Sequence, residues 1–154
     1  MTMEQKFFGP FFQTRTAVFL AVLSSSAQAA EVTGAWARAT APHQDTAAIY
    51  LVVHSDKPTK LIGAETPAAD MAMLHRTARS GGMSDMQDVE AVDIPAHGTA
   101  AFSPGGMHIM LMGLKHGLVA GDSVDLMLSF ADGERLRLAV PVQPIRAAGP
   151  PGVR

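Results

Sequence analysis

Methionines are grouped at three places in this 154-residue sequence, two of which also contain a histidine, and the whole sequence has ten methionines, six histidines and no cysteine. These places are the segments 71–75, 83–86 and 107–112. Thioether sulfur is a soft, neutral ligand that favours Cu(I), whereas calcium, magnesium and manganese prefer oxygen ligands and zinc prefers thiolate, imidazole or carboxylate. Methionine and histidine in this arrangement therefore indicate a site for a soft metal ion.

Strand spacing limits which of these side chains can bind one ion. Residues two apart on a strand share a face and lie about 6.5–7 Å apart, so His108 and Met110 can reach a common ion. Met112 is roughly 13 Å along the strand from His108 and is a poorer ligand. His75 and Met86 flank a connection long enough to fold back as a hairpin or loop. The simplest site comprises His75, Met86, His108 and Met110.

Such a site has no anionic ligand, so it should bind Cu(I) less tightly than a thiolate site and release it more readily. Thioethers form no disulfides, so the site would survive in an oxidising compartment. A histidine must be neutral to bind a metal, so the affinity should fall as the pH drops below the histidine pKa.

Structural roles compete with metal binding for the same residue types. A methionine alone on a strand is more often core packing, which is our interpretation of Met107, Met127 and also Met71. The histidines that have no methionine two residues away are interpreted as surface or hydrogen-bonded residues: His43, His54, His97 and His116.

The segments around these residues predict an all-β domain. Apolar and polar residues alternate over 124–130 and 136–140, and the intervening Asp132-Gly133 pair is a strong hairpin signal. A nearly continuous apolar run at 47–53 is typical of a sandwich-core strand. Short strands with closely spaced turns predict a β-sandwich or small barrel. Further strands are predicted at 31–38, 59–65, 71–76, 98–103 and 107–113.

Residues 1–29 are predicted to be a secretory signal peptide. Lys6 and Arg15 precede an apolar stretch, and Ala27-Gln28-Ala29 matches a cleavage pattern. A membrane-spanning helix needs roughly 20 apolar residues, more than this segment contains, so no stable membrane insertion is expected after cleavage.

Two further segments follow, a β-sandwich domain over 30–143 and a flexible C-terminal tail over 144–154 that is rich in proline and glycine. The formal net charge of −2 gives no sign of nucleic-acid binding.

The spacing of the four candidate ligands resembles the signature of the periplasmic copper chaperone family PCuAC. His75 is followed after ten residues by Met86, then after twenty-one residues by His108, then after one residue by Met110.

The resemblance extends beyond the ligands, over roughly residues 31–142. The segments 35–40 and 46–51 resemble the first two strands of the family, and 104–114, with its Pro-Gly-Gly-x-His sequence, resembles the most distinctive block.

The resemblance implies a cupredoxin-like Greek-key β-sandwich that binds one Cu(I) per mature chain in the periplasm through His75, Met86, His108 and Met110. It implies that the chain passes copper to the CuA centre of cytochrome c oxidase, through subunit II or another assembly chaperone, or that it handles periplasmic copper more generally. We expect the mature chain to be a monomer. Relatives often carry Met-x-Met where this chain has Met83 and Met86 three apart, so a contribution from Met83 stays open. A contribution from Met73 stays open as well.

Two other functions compete with the chaperone. A redox enzyme, such as a copper oxidase, needs a site that is stable in both copper states, which two thioethers disfavour, so we expect no enzyme. A metal-free β-sandwich used for protein contacts is the alternative, with its methionines as packing or interface. Arg76 is expected to place a positive charge near the site.

Overall fold

A computed structural model describes residues 30–152, in which every regular element is a β-strand. The predicted signal peptide and residues 153–154 lie outside the described residues. The strands are β1 (Ala30–Arg38), β2 (Thr46–Ser55), β3 (Thr59–Glu65), β4 (Ala69–Ser80), β5 (Met83–Asp88), β6 (Val92–Ile94), β7 (Gly98–Phe102), β8 (Met107–Leu114), β9 (Ser123–Phe130) and β10 (Arg135–Gln143). No helix in the described range is long and apolar enough to cross a membrane.

The strands form two sheets joined at one edge. The first has the order β5-β4-β8-β2-β1, with β7 also paired to β2, and the second has the order β10-β9-β3-β6. The parallel pair β1–β10 connects them, with Ala37 opposite Val142, while the other strand pairs are antiparallel. The all-β sandwich predicted from the sequence is confirmed.

One apolar core lies between the two sheets. Leu126, Leu128 and Phe130 on β9 are buried at alternate positions, as their period of two predicted. From the first sheet, Ile49 on β2 and Leu111 on β8 are fully buried in the same core. Burying one such side chain contributes about 1.5–3 kcal/mol, so a chain without disulfides can rely on this core.

The predicted hairpin between β9 and β10 is confirmed. Gly133 has a φ of 88°, which glycine adopts without strain. The Gly133 amide donates to the Phe130 carbonyl at 3.0 Å, and the Phe130 amide donates to the Glu134 carbonyl at 2.9 Å. Arg135 lies opposite Ser129 in the ladder that follows.

The sequence analysis did not identify β5 or β6 as strands, and β4 continues to Ser80 rather than ending near 76. Every residue of β5 is exposed, so this edge strand has no buried face to produce an apolar alternation. Its hairpin with β4 closes through Gly81 and Gly82, which have φ values of 58° and 81°, with Ser80 opposite Met83. Two central residues with positive φ are the signature of a type I′ turn.

The segment after β10 contains no strand up to residue 152. Arg38 donates through Nη2 to the Ala147 carbonyl at 3.0 Å, and the Ala147 amide donates to the Pro144 carbonyl at 2.8 Å. These bonds attach the first part of the segment to β1, and the predicted flexibility of 144–154 stays a prediction.

Candidate metal centre

The strand register places the four candidate ligands on one face of the first sheet. His75 on β4 lies directly opposite His108 on β8, and Met110 follows two residues later on the same face. β5 pairs with the other edge of β4, with Met86 opposite Thr77. Directly opposed residues and residues two apart share a face, so three neighbouring strands present all four side chains together.

This face is the outer one, because the intervening residues Leu74, Ile109 and Leu111 are buried in the core. His75 and His108 are nevertheless only 8% and 6% exposed, and their rings meet edge to face with centroids 5.7 Å apart. The two imidazoles therefore form a nearly buried pair on the outer side of the sheet.

The thioethers are more accessible than the imidazoles. Met86 is 59% exposed on the edge strand β5, whereas Met110 is half-buried. A surface cleft of about 240 Å³ is bordered by Met86, His108 and Met110, together with Tyr50 and Thr77. His75 lies beside His108 and does not border this cleft.

The His108 ring is oriented by a backbone carbonyl. Its Nδ1 lies 3.4 Å from the Gly106 oxygen, and because a carbonyl only accepts, Nδ1 carries the hydrogen of the neutral ring. Nε2 is then left with a free lone pair, as in metal sites where the second imidazole nitrogen is held by an outer partner. The Gly106 carbonyl also accepts from the Thr77 amide at 3.1 Å, which ties β4 to the same group.

A tight turn presents that carbonyl. Pro104 and Gly105 occupy its centre, Gly105 has a φ of 80°, and the Gly106 amide donates to the Ser103 carbonyl at 3.0 Å. Proline followed by a residue with positive φ defines a type II turn, which requires glycine at the second central position. The Pro-Gly-Gly sequence before His108 thus has a structural role in orienting the ring.

The two His75 ring nitrogens differ in their surroundings, since Nε2 faces a carboxylate and Nδ1 has no polar partner. Both ring nitrogens are buried and neither makes a hydrogen bond within the described residues. Asp88 on β5 is the opposed residue, and its Oδ1 lies 2.8 Å from Nε2, out of line with hydrogen-bond geometry. A buried nitrogen without a partner costs about 1–3 kcal/mol, and a metal ion would relieve this cost.

The composition of the site selects the class of ion. Within residues 30–152, no three His, Asp or Glu side chains are gathered so that they could hold a metal ion. The other potential ligands on the face of His75 and His108 include the thioethers of Met86 and Met110. Two imidazoles and two thioethers suit Cu(I) and fit oxygen-preferring ions poorly.

Burial lowers the pKa of His108 below its usual value of 6.5. The hydrogen bond to Gly106 acts in the opposite direction, and the neighbouring His75 lowers the pKa as well. His108 is therefore neutral near pH 7, which is the form that binds a metal ion.

Two residues close in sequence to the candidate ligands, Arg76 and Met83, do not lie on the ligand face. Arg76, which was expected to add charge near the site, is opposite Met107 on the other face of β4, with Nη2 3.8 Å from the Met107 sulfur. Met83 is opposite Ser80, lies on the other face of β5 from Met86 and is 77% exposed.

Most residues interpreted as structural lie away from the ligand face or at the surface. The interpretation of Met71 as core packing is wrong, because Met71 is 53% exposed and shares the ligand face of β4 with His75. Met107 packs against the core, and Met127 is half-buried on β9 in the second sheet. His43, His97 and His116 are exposed. His54 and His97 both approach the Asp56 carboxylate, at 3.3 and 3.6 Å.

Sequence reasoning missed the groups that support the candidate ligands. The Gly106 carbonyl, the Thr77 amide and the Asp88 carboxylate depend on which strands pair and in which register. The Pro-Gly-Gly sequence was a usable signal for the Gly106 carbonyl, whereas nothing in the sequence indicated the Thr77 amide or the Asp88 carboxylate.

Comparison with known proteins gives consistent matches over the described domain. Residues 30–142 match the family model "Putative lipoprotein LpqE-like". The chain is 38% identical over 124 residues to "Putative lipoprotein Lxx21020" of Leifsonia xyli subsp. xyli, which covers 79% of this chain and 74% of the relative.

Solved structures with the same fold include copper-binding domains. The Cu(I) form of DR1885 from Deinococcus radiodurans is 42% identical, with a TM-score of 0.60 over 80% of this chain and 85% of DR1885. The copper-bound PCuAC domain of PmoF2 is 19% identical, with a TM-score of 0.64 over 75% of this chain and 93% of that domain, and shows the fold alone. The cupredoxin-like fold expected from the resemblance is thereby confirmed.

Substituting the turn glycine should weaken both the fold and the orientation of His108. Gly105→Ala forces a side chain into the left-handed region, so we expect a loss of about 1–2 kcal/mol in the free energy of unfolding by urea. The ring signals of His108 in NMR spectra should shift as well. Gly149→Ala, at a position without positive φ and with open space around it, is the control. Unchanged stability in Gly105→Ala would contradict this role of the turn.

The apo protein should show a depressed His108 pKa. In an NMR titration the His108 imidazole should titrate below 6.5, with the signal assigned by its absence in His108→Asn. The unfolded chain binds this proton more readily, so the contribution of His108 to stability is lost as the pH falls from about 6.5 through the lower folded pKa. A folded pKa at or above 6.5 would contradict the burial argument.

Proposed function

The chain belongs to the LpqE-like family, and from this membership and the PCuAC fold we propose that it is a Cu(I)-binding metallochaperone. The observation that carries the proposal is the buried His75–His108 pair, whose His75 Nδ1 has no hydrogen-bond partner and whose face also carries Met86 and Met110. The Cu(I) form of DR1885, at 42% identity, supports copper as the ion.

In this proposal copper is cargo held by neutral ligands. His108 binds through Nε2, because Nδ1 is held by the Gly106 carbonyl. His75 supplies a ring nitrogen, and Met86 and Met110 supply thioether sulfur. With no anionic ligand the ion keeps its positive charge, and the protein provides binding and transfer without catalytic turnover.

Release follows from the unequal exposure of the ligands. Met86 lies on an edge strand and is 59% exposed, while the two imidazoles are nearly buried. An acceptor can therefore approach the ion from the Met86 side and replace that thioether first. Such ligand exchange transfers the ion without an unbound intermediate.

We further propose that the chain is exported and works as a monomer in the periplasm. Support comes from the predicted signal peptide and from the lipoprotein names of the family and of the relative. The proposed acceptor is a copper-accepting protein, either subunit II of cytochrome c oxidase at its CuA centre or another assembly chaperone. General periplasmic copper handling is the broader form of the same function.

Competition with a chromogenic Cu(I) chelator tests the proposed site. The wild-type protein should withdraw one tightly bound Cu(I) per chain from the chelator. Met86→Leu, Met110→Leu and His108→Gln should each lower the affinity by at least about tenfold, since even outer-shell substitutions cost 10–100-fold. Met127→Leu, a half-buried methionine in the second sheet, is the matched control and should leave the affinity unchanged.

Failure of the wild-type protein to compete for Cu(I) would end the chaperone proposal. The metal-free interaction module would then be favoured. Loss of affinity in Met127→Leu to the same extent as in Met86→Leu would show that the effect is not local to the site.

Transfer to a purified CuA domain tests the acceptor. The Cu(I)-loaded protein is mixed with the apo form of the soluble CuA domain of subunit II without oxygen, and copper is measured in each protein after separation. Copper should move to the CuA domain faster than with free Cu(I) chelate at the same concentration. If the loaded protein retains its copper, the CuA domain is not the acceptor, and general periplasmic copper handling becomes the favoured function.

A further inference from the structure

The face that carries the candidate ligands continues as a block of methionines. Next to the His75–His108 pair, Met73 lies opposite Met110, and Met71 lies opposite Met112. Four thioethers thus stand two by two on adjacent strands, and only Met110 belongs to the proposed copper site. Met71 is 53% exposed, and Met73 and Met112 are half-buried.

Core packing does not explain this block, because it lies on the outer face of the sheet. The outer face of an antiparallel sheet ordinarily carries polar side chains. On the inner face Leu74 and Leu111, which alternate with the methionines, are buried in the core. Several methionines on the solvent side of neighbouring strands therefore need another reason.

The neighbouring strands leave the block open to solvent. On the β2 side the residues opposite Met112 and Met110 are Thr46 and Ala48, which are small. On the other side β5 ends at Asp88, opposite His75, so it pairs with β4 at neither Met73 nor Met71. The thioethers of the block are thus accessible without any strand having to move.

We propose that Met71, Met73 and Met112 form a second soft-metal site, which binds one further Cu(I), or the analogous ion Ag(I), through three thioethers. Opposed residues such as Met71 and Met112 have Cβ atoms about 4.5–5.5 Å apart, and the diagonal pair Met73 and Met112 is about 7–8 Å apart. Three rotatable bonds let each side chain turn its sulfur towards a common ion. Without an imidazole, this site binds more weakly than the His75–His108 site.

Titration with Ag(I), which does not oxidise, tests the proposal by NMR of the methionine methyl groups. During the first equivalent the methyl signals of Met86 and Met110 should shift. During the second equivalent those of Met71, Met73 and Met112 should shift together. Because the two sites report on different methyl groups, failure of the first site leaves the test of the second intact.

The triple variant M71L/M73L/M112L separates metal binding from apolar contact. Leucine has nearly the same volume as methionine but no sulfur, so folding should be retained and the stoichiometry should fall from two Ag(I) to one. Met127→Leu is the control and should keep both ions.

Two results would overturn the proposal. One is that the methyl signals of Met71, Met73 and Met112 do not shift when a second equivalent of Ag(I) is added. The other is a triple leucine variant that still binds two Ag(I), which would place the second ion elsewhere on the protein.

Discussion

The register between β4 and β8 is the constraint on which the candidate site depends. It places His75 opposite His108 on the outer face, while Leu74 opposite Ile109 fills the core. A slip of one residue would exchange these faces, bringing imidazoles into the apolar core and leucine to the surface. Hydrophobic burial on the inner face therefore supplies the free energy that fixes the register. The same register determines which side chains lie next to one another on the outer face.

The outer face is prepared for binding at some cost to the apo fold. Burial keeps His108 neutral by lowering its pKa, and His75 has a buried Nδ1 without a hydrogen-bond partner. The Gly106 carbonyl fixes the tautomer of His108 and also accepts from the Thr77 amide, so a single group links β4, β8 and the turn before β8. A proposed ligand held in this way needs little rearrangement when an ion arrives.

The sequence predicted what local periodicity and turn chemistry determine. The alternation on β9 and the Asp132-Gly133 pair identified that hairpin, and the spacing of His108 and Met110 identified one half of the candidate site. β5 was missed because an edge strand exposed on every residue has no apolar alternation. The contact of Asp88 with His75 and the position of Arg76 on the opposite face could not be predicted, because they depend on pairing between strands.

Exposure changes systematically along the ligand face, and this gradient favours a protein that both holds and releases an ion. The imidazoles at the centre are nearly buried, whereas Met86 on one side and Met71 on the other are more than half exposed. A centre that is rigid and shielded favours retention, because its ligands are already in place. An accessible thioether such as that of Met86 favours exchange, because an incoming ligand can replace it without disturbing the core. Both properties arise from one sheet face in which the buried pair lies between exposed neighbours.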